Sequence, residues 1–90
     1  MKYILVYEIK DGRTSLARFS KWKPGFTFIH HHQSLDGRRG FALVEGDAAA
    51  IREATAAYAD TITFDAYPVV DIQDGVAAQM RAYAWVDSLK

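Results

Sequence analysis

The chain contains no cysteine. That excludes a disulfide framework, a thiol nucleophile and a thiolate metal site. It has no excess of charge either, since eleven Lys and Arg balance eleven Asp and Glu. A neutral chain lacks the electrostatic footprint that a nucleic-acid backbone or an anionic membrane surface demands. No apolar run approaches the ~20 residues of a membrane span. The longest early run, Tyr3–Tyr7, ends at Glu8 and is too short for the core of a secretion signal. The expectation is a cytoplasmic protein whose partners include neither nucleic acid nor membrane. The six glycines stand in turns, not in a glycine-rich loop opening a helix, so there is no phosphate loop or dinucleotide fingerprint. A Ser-His-Asp order is also missing, and no cofactor is expected.

What is present suffices for one domain spanning residues 1–90. Half of the residues are hydrophobic, which supports a core and excludes a disordered chain. A domain of this size buries roughly 60–70% of the surface its unfolded chain exposes, so association would add needed stability.

Lys2–Ile9 is rich in β-branched and aromatic residues and reads as a strand. Tyr3, Leu5, Tyr7 and Ile9 point to one side, Ile4, Val6 and Glu8 to the other. After Asp11-Gly12, the segment Thr14–Lys21 carries Leu16, Ala17 and Phe19 at helical spacing, with Asp11 or Thr14 as N-cap. Pro24-Gly25 ends it. Phe26–Leu35 and Phe41–Glu45 form a hairpin around Asp36-Gly37-Arg38-Arg39, where Gly37 supplies a positive φ and Gly40 a candidate bulge. Simple alternation places Phe26, Phe28, His30 and His32 together and Ile29, His31 and Gln33 opposite.

Asp47 caps a second helix over 48–59, with Ile51, Ala54, Thr55 and Tyr58 on one face. Thr61–Ile72 reads as a fourth strand, whose Pro68 favours an edge. Gln73–Ser88 reads as a third helix striped by Val76, Met80, Tyr83 and Ala84, with Trp85 near its end. Strand–helix–strand twice over, joined by a hairpin, is a ferredoxin-like βαββαβ α+β sandwich with a C-terminal helix. Right-handed crossovers give a four-stranded antiparallel sheet of order 4-1-3-2, with two helices on one face. The other face, with Ile4, Val6, Thr63, Asp65 and Tyr67, is too apolar to leave in water. A second copy of the same sheet would cover it, making a homodimer.

The start Met1-Lys2-Tyr3, the hairpin Leu35-Asp36-Gly37-Arg38-Arg39-Gly40-Phe41-Ala42-Leu43-Val44-Glu45, and Thr61-Ile62-Thr63-Phe64 with Tyr67-Pro68-Val69 resemble a family of small bacterial proteins of unknown function. That family belongs to the dimeric α/β-barrel superfamily, beside antibiotic-biosynthesis monooxygenases and stress-responsive barrel proteins. The resemblance implies a dimeric α/β barrel. By analogy it also implies a cofactor-free, monooxygenase-like chemistry. The chain has no asparagine, so an Asn-dependent oxygenase site does not carry over.

The candidate site residues are His30, His32, Glu8, Asp65 and Tyr67, the ionisable groups set on strands. Only His30 and His32 of the three successive histidines share a face, which is short of the three or four ligands zinc needs. One of them can serve as acid or base toward a ligand. Glu8, Asp65 and Tyr67 would converge in a dimer cavity. Arg38 and Arg39 read as solvated hairpin residues and Trp22 as a lid or a residue packed on the sheet end.

Two functions follow. One is a homodimer that binds a small apolar or aromatic ligand in the cleft over its sheet, with or without oxidation. The other is a non-enzymatic, stress-related or interaction module whose sheet face serves only dimerisation. A cleft lined by His30 or His32, Glu8 and Asp65 favours the first, and one filled by Phe and Tyr favours the second.

Overall fold

The computed structural model describes residues 1–90. The elements are β1 (Lys2–Ile9), α1 (Gly12–Phe19), β2 (Thr27–Gln33), β3 (Arg39–Glu45), α2 (Ala48–Ala57), β4 (Ile62–Val69) and α3 (Ile72–Ser88). The four strands pair antiparallel in the order β2-β3-β1-β4, the ferredoxin-like arrangement expected from the sequence, with α3 appended. No helix is long and apolar enough to cross a membrane.

Local chemistry starts both packed helices where the sequence places their caps. The Asp11 carboxylate accepts from the Thr14 backbone N–H at 3.1 Å and from the Thr14 hydroxyl at 2.8 Å. The Asp47 carboxylate accepts from Ala50 N–H at 2.8 Å. Each satisfies a donor left free by the first helical turn. In β1, alternation buries Tyr3 and Leu5 while Val6 and Glu8 stay exposed. The core gathers Tyr3, Leu5, Phe26, Ala42, Val44, Ile51 and Ala54, so it lies on one side of the sheet under α2. Strand β4 is an edge, which accommodates Pro68 without a missing ladder bond.

The hairpin departs from the sequence reading in two ways. Its loop runs from Ser34 to Arg38, closed by the Gly37 N–H donating to the Ser34 carbonyl at 2.9 Å, with Gly37 at φ +74°. The Asp36 carboxylate accepts from the Ser34 hydroxyl and the Arg38 N–H. Gly40 is not a bulge: it pairs in register with Tyr7 and Gln33. A Cβ on Gly40 would collide with the Tyr7 ring, which lies across it. The irregularity sits instead at Ile29, where the register slips between Phe28 and His30. One extra residue reverses the facing of everything that follows. His31 therefore joins Phe28 on the helix-covered side, opposite to the simple alternation, and His30 and His32 turn to the open side.

No residue of α3 is buried, so Tyr83 and Trp85 take no part in the core. The radius of gyration is 17.0 Å, against about 12 Å for a compact chain of this length, in keeping with a helix that packs on nothing in its own protomer.

Both hairpin glycines are testable by calorimetry. Gly37→Ala should cost about 1–2 kcal/mol, the penalty of a left-handed backbone at a residue with a Cβ. Gly37→Asn should cost less than Gly37→Ala. Gly40→Ala should cost about 1–3 kcal/mol by overpacking against Tyr7. A melting temperature unchanged by Gly40→Ala would refute the ring-on-glycine packing.

Candidate functional site

The helix layer is short, and what it fails to cover becomes a cavity. Beneath α1 the sheet and helix enclose about 360 Å³, lined mostly by apolar and aromatic side chains. Strands β1 and β4 contribute Leu5, Tyr7, Ile9, Ile62 and Phe64, and α1 contributes Ser15, Leu16 and Phe19. A volume of this size lies in the range of small-molecule sites.

Aromatic rings build the wall in sequence. Trp22 meets Tyr58 edge-on at 5.3 Å and Phe26 at 5.7 Å; Phe26 meets Phe28 at 5.2 Å. Phe28 stacks flat on the His31 ring, with centroids 4.6 Å apart and planes 1° from parallel. Phe19, reaching down from α1, turns its edge to both Phe28 and His31. Trp22 thus belongs to the cavity wall as well as to the sheet end.

His32 and Gln33 border this mostly apolar surface, and a polar pair lies within it. The Tyr7 hydroxyl lies 2.6 Å from His31 Nε2. Gly40 leaves the space for the Tyr7 ring, and the Ile29 bulge delivers His31 to it. Burial pushes the Tyr7 phenol up from its ordinary value. Burial, and secondarily the neighbouring His32, push the His31 imidazole down. Both shifts favour the uncharged forms near neutrality. With the phenol as donor, the imidazole carries its own proton on Nδ1.

Ser15 and Tyr58 also contribute to the cavity wall, but their hydroxyls, Ser15 Oγ and Tyr58 Oη, are buried behind it and lack any hydrogen-bond partner. An unsatisfied buried hydroxyl costs about 1–3 kcal/mol. Helix α1, which carries Ser15, is tied down from outside. Arg18 grips both carboxylate oxygens of Asp60 at 2.6 and 2.9 Å and donates to the Ala57 carbonyl at 3.2 Å. The Arg18 guanidinium holds the Asp60 carboxyl down to about 2.

Of the five residues singled out from sequence, His30, Glu8, Asp65 and Tyr67 lie on the other side of the sheet, while His32 stands on that side and also borders the cavity. His30 and His32 stand on the β2 edge opposite Leu43 and Phe41, and their rings lie 6.2 Å apart. Glu8 faces Arg39 at 4.0 Å across β1 and β3. Asp65 and Tyr67 stand on β4 beside Val6 and Ile4. Three strand spacings separate the histidines from Asp65 and Tyr67, roughly 14 Å, with Ile4, Val6, Phe41 and Leu43 between them. They share a face without converging within one protomer. No three His, Asp or Glu side chains come together as a metal-binding group. Tyr7, Ser15, Tyr58 and His31, which line the cavity, are not among the candidates read from sequence, because no alternation rule reveals a bulge.

The His31 shift gives a pH dependence with a definite sign. Its folded value lies below the unfolded one, near 6.5, so the unfolded chain binds more protons in that interval. The stability contributed is complete above about 6.5 and is lost as pH falls toward the folded value. Ring proton NMR should show His31 titrating below the ordinary histidine range, and His31→Phe should remove this part of the acid destabilisation. An imidazole titrating above 6.5 would contradict the partial desolvation of His31 beside Tyr7.

Comparison with known proteins reaches the family and stops there. No curated protein and no solved structure matches the chain. A family model described as a domain of unknown function, DUF3303, matches residues 1–83, which takes in all four strands, α1, α2 and most of α3. The chain therefore belongs to the DUF3303 family.

Proposed function

We propose that this protein binds a small, flat, mostly apolar molecule in the aromatic cavity under α1, with Tyr7 and His31 engaging its polar end. The observation that carries the reading is the 2.6 Å Tyr7–His31 pair set in a mostly apolar wall. Stacked rings suit a planar aromatic ligand. The Tyr7 hydroxyl can take a ligand's proton while passing its own to His31 Nε2, and the reverse steps return it. That suits an acidic phenol or enol. Removing its proton is also what a cofactor-free, monooxygenase-like oxidation by dioxygen would need first, which is the chemistry suggested by analogy of fold.

A second reading has its own support. Val6, Phe41 and Tyr67 are 42%, 48% and 53% exposed on the open sheet face. That favours an interaction surface covered by a second copy, with His30, His32, Glu8, Asp65 and Tyr67 lining the interface between two protomers.

Thermal shift against a panel of planar phenols, with anilinonaphthalene sulfonate fluorescence in parallel, separates the sites. A ligand at about 100 times its Kd stabilises by about 2.7 kcal/mol, which should raise the Tm of so small a domain by roughly 10 °C or more. His31→Ala should weaken binding about tenfold, the worth of one hydrogen bond. Leu16→Trp, at an exposed position on the cavity mouth, should block it. His30→Ala should leave binding unchanged. Hits lost with His30→Ala, yet retained with His31→Ala and Leu16→Trp, would move the site to the open face.

A further inference from the structure

Helix α3 has an apolar stripe and nothing in its own protomer to cover it. Ile72, Val76, Met80, Tyr83 and Val86 recur on one side of the helix, and they are between 48% and 77% exposed. An amphipathic helix draws most of its stability from packing that stripe against something. The sheet offers a matching vacancy. Its open face exposes Val6, Phe41 and Tyr67 beside the half-buried Ile4 and Leu43.

The amount of uncovered surface indicates what is missing. The chain exposes 6838 Å², whereas a compact monomer of 10.1 kDa exposes about 5,300 Å². The excess, about 1,500 Å² per chain, exceeds the roughly 800 Å² per partner of a standard stable interface. Zero net charge leaves little long-range repulsion between copies.

Dimensions indicate how two copies would fit. A strand as long as β1 runs about 26 Å and a helix as long as α3 about 25 Å. The long axis of the protomer is 58 Å, close to the two placed end to end, so the arm continues away from the sheet. Only Val70 and Asp71 join β4 to α3. The Lys2–Asp71 ion pair, at 3.4 Å, ties the joint to β1. The arm is thus directed off its own sheet and has the length of a sheet face.

We propose that α3 is an exchange arm, lying across the open sheet face of a second copy while the second copy's α3 lies across the first. A two-fold axis beside the Val70–Asp71 joint makes the contact reciprocal and closed. Helix α3 then supplies the second covering layer that the sheet lacks, and each protomer completes the other. The inference deepens the interaction-surface reading by naming the element that makes the contact, and it does not depend on the cavity under α1.

The absence of native cysteine makes the test clean. The double variant Phe41→Cys/Met80→Cys changes two exposed positions, one on the face and one on the arm. After mild oxidation, peptide mapping should find disulfides joining position 41 of one chain to position 80 of another. Light scattering on the wild type should return twice 10.1 kDa. Met80→Glu/Tyr83→Glu should return a single-chain mass with an unchanged β-sheet circular dichroism signal, because no α3 residue is buried in the protomer. Links between two positions 41 would mean that sheet faces meet each other, overturning the arm while keeping the dimer. Links between two positions 80 would mean that arms pair with arms, which also overturns the proposal. A wild-type mass of 10.1 kDa at micromolar concentration would overturn both the arm and the dimer.

Discussion

Two short helices must cover a sheet twice their length, and most of what is distinctive here follows from that mismatch. Helix α1 has eight residues and α2 has ten, about 12 and 15 Å of helix, against strands of about 26 Å. Helix α2 sits over Tyr3, Leu5, Ala42 and Val44 and makes a dry core with them. Helix α1, over the other end, reaches β2 through Phe19 and leaves a cavity behind. Only 12 of the 90 residues are buried, so the protomer has little stability in reserve.

Aromatic side chains make that incomplete cover tolerable. Rings from Phe19, Trp22, Phe26, Phe28, Tyr58 and Phe64 span gaps that aliphatic side chains would leave open, and they meet edge-on or stacked at favourable distances. Into this wall the fold inserts an imidazole and a phenol that satisfy each other. The Arg18–Asp60 clamp holds α1, which carries part of the cavity wall, to the turn after α2. Both partners are largely exposed, so its value lies in orienting the helix more than in net stability.

The remaining surfaces have a common cause. A sheet with helices on one face keeps its other face free, and a chain that ends in an unpacked amphipathic helix keeps a second apolar surface free. Neither is unusual alone, but together they leave the chain more exposed than a monomer of its mass. The sheet face carries polar groups at both edges, His30 and His32 on β2 and Asp65 and Tyr67 on β4, around an apolar centre. That is the layout of an interface with a dry middle and a wet rim.

Much of the fold was legible in local chemistry. Asp11 and Asp47 mark helix starts because a carboxylate there meets free backbone N–H groups, and Pro68 marks an edge because it cannot donate. The alternation in β1 told which residues share a side, and the hairpin glycines marked the turn. The cavity was not legible, and one residue explains why. Strand periodicity propagates any error, so an unseen bulge at Ile29 hid that His31 shares the helix-covered side with Phe28. The bulge is selected by what lies across the sheet, namely small Ala42 beside His31 and Gly40 under the Tyr7 ring, and those neighbours are distant in sequence. The helical stripe of α3 was equally plain in the sequence, while its freedom was not. Periodicity reports that a face is apolar; only the course of the chain after Val69 decides whether its own protomer can reach that face.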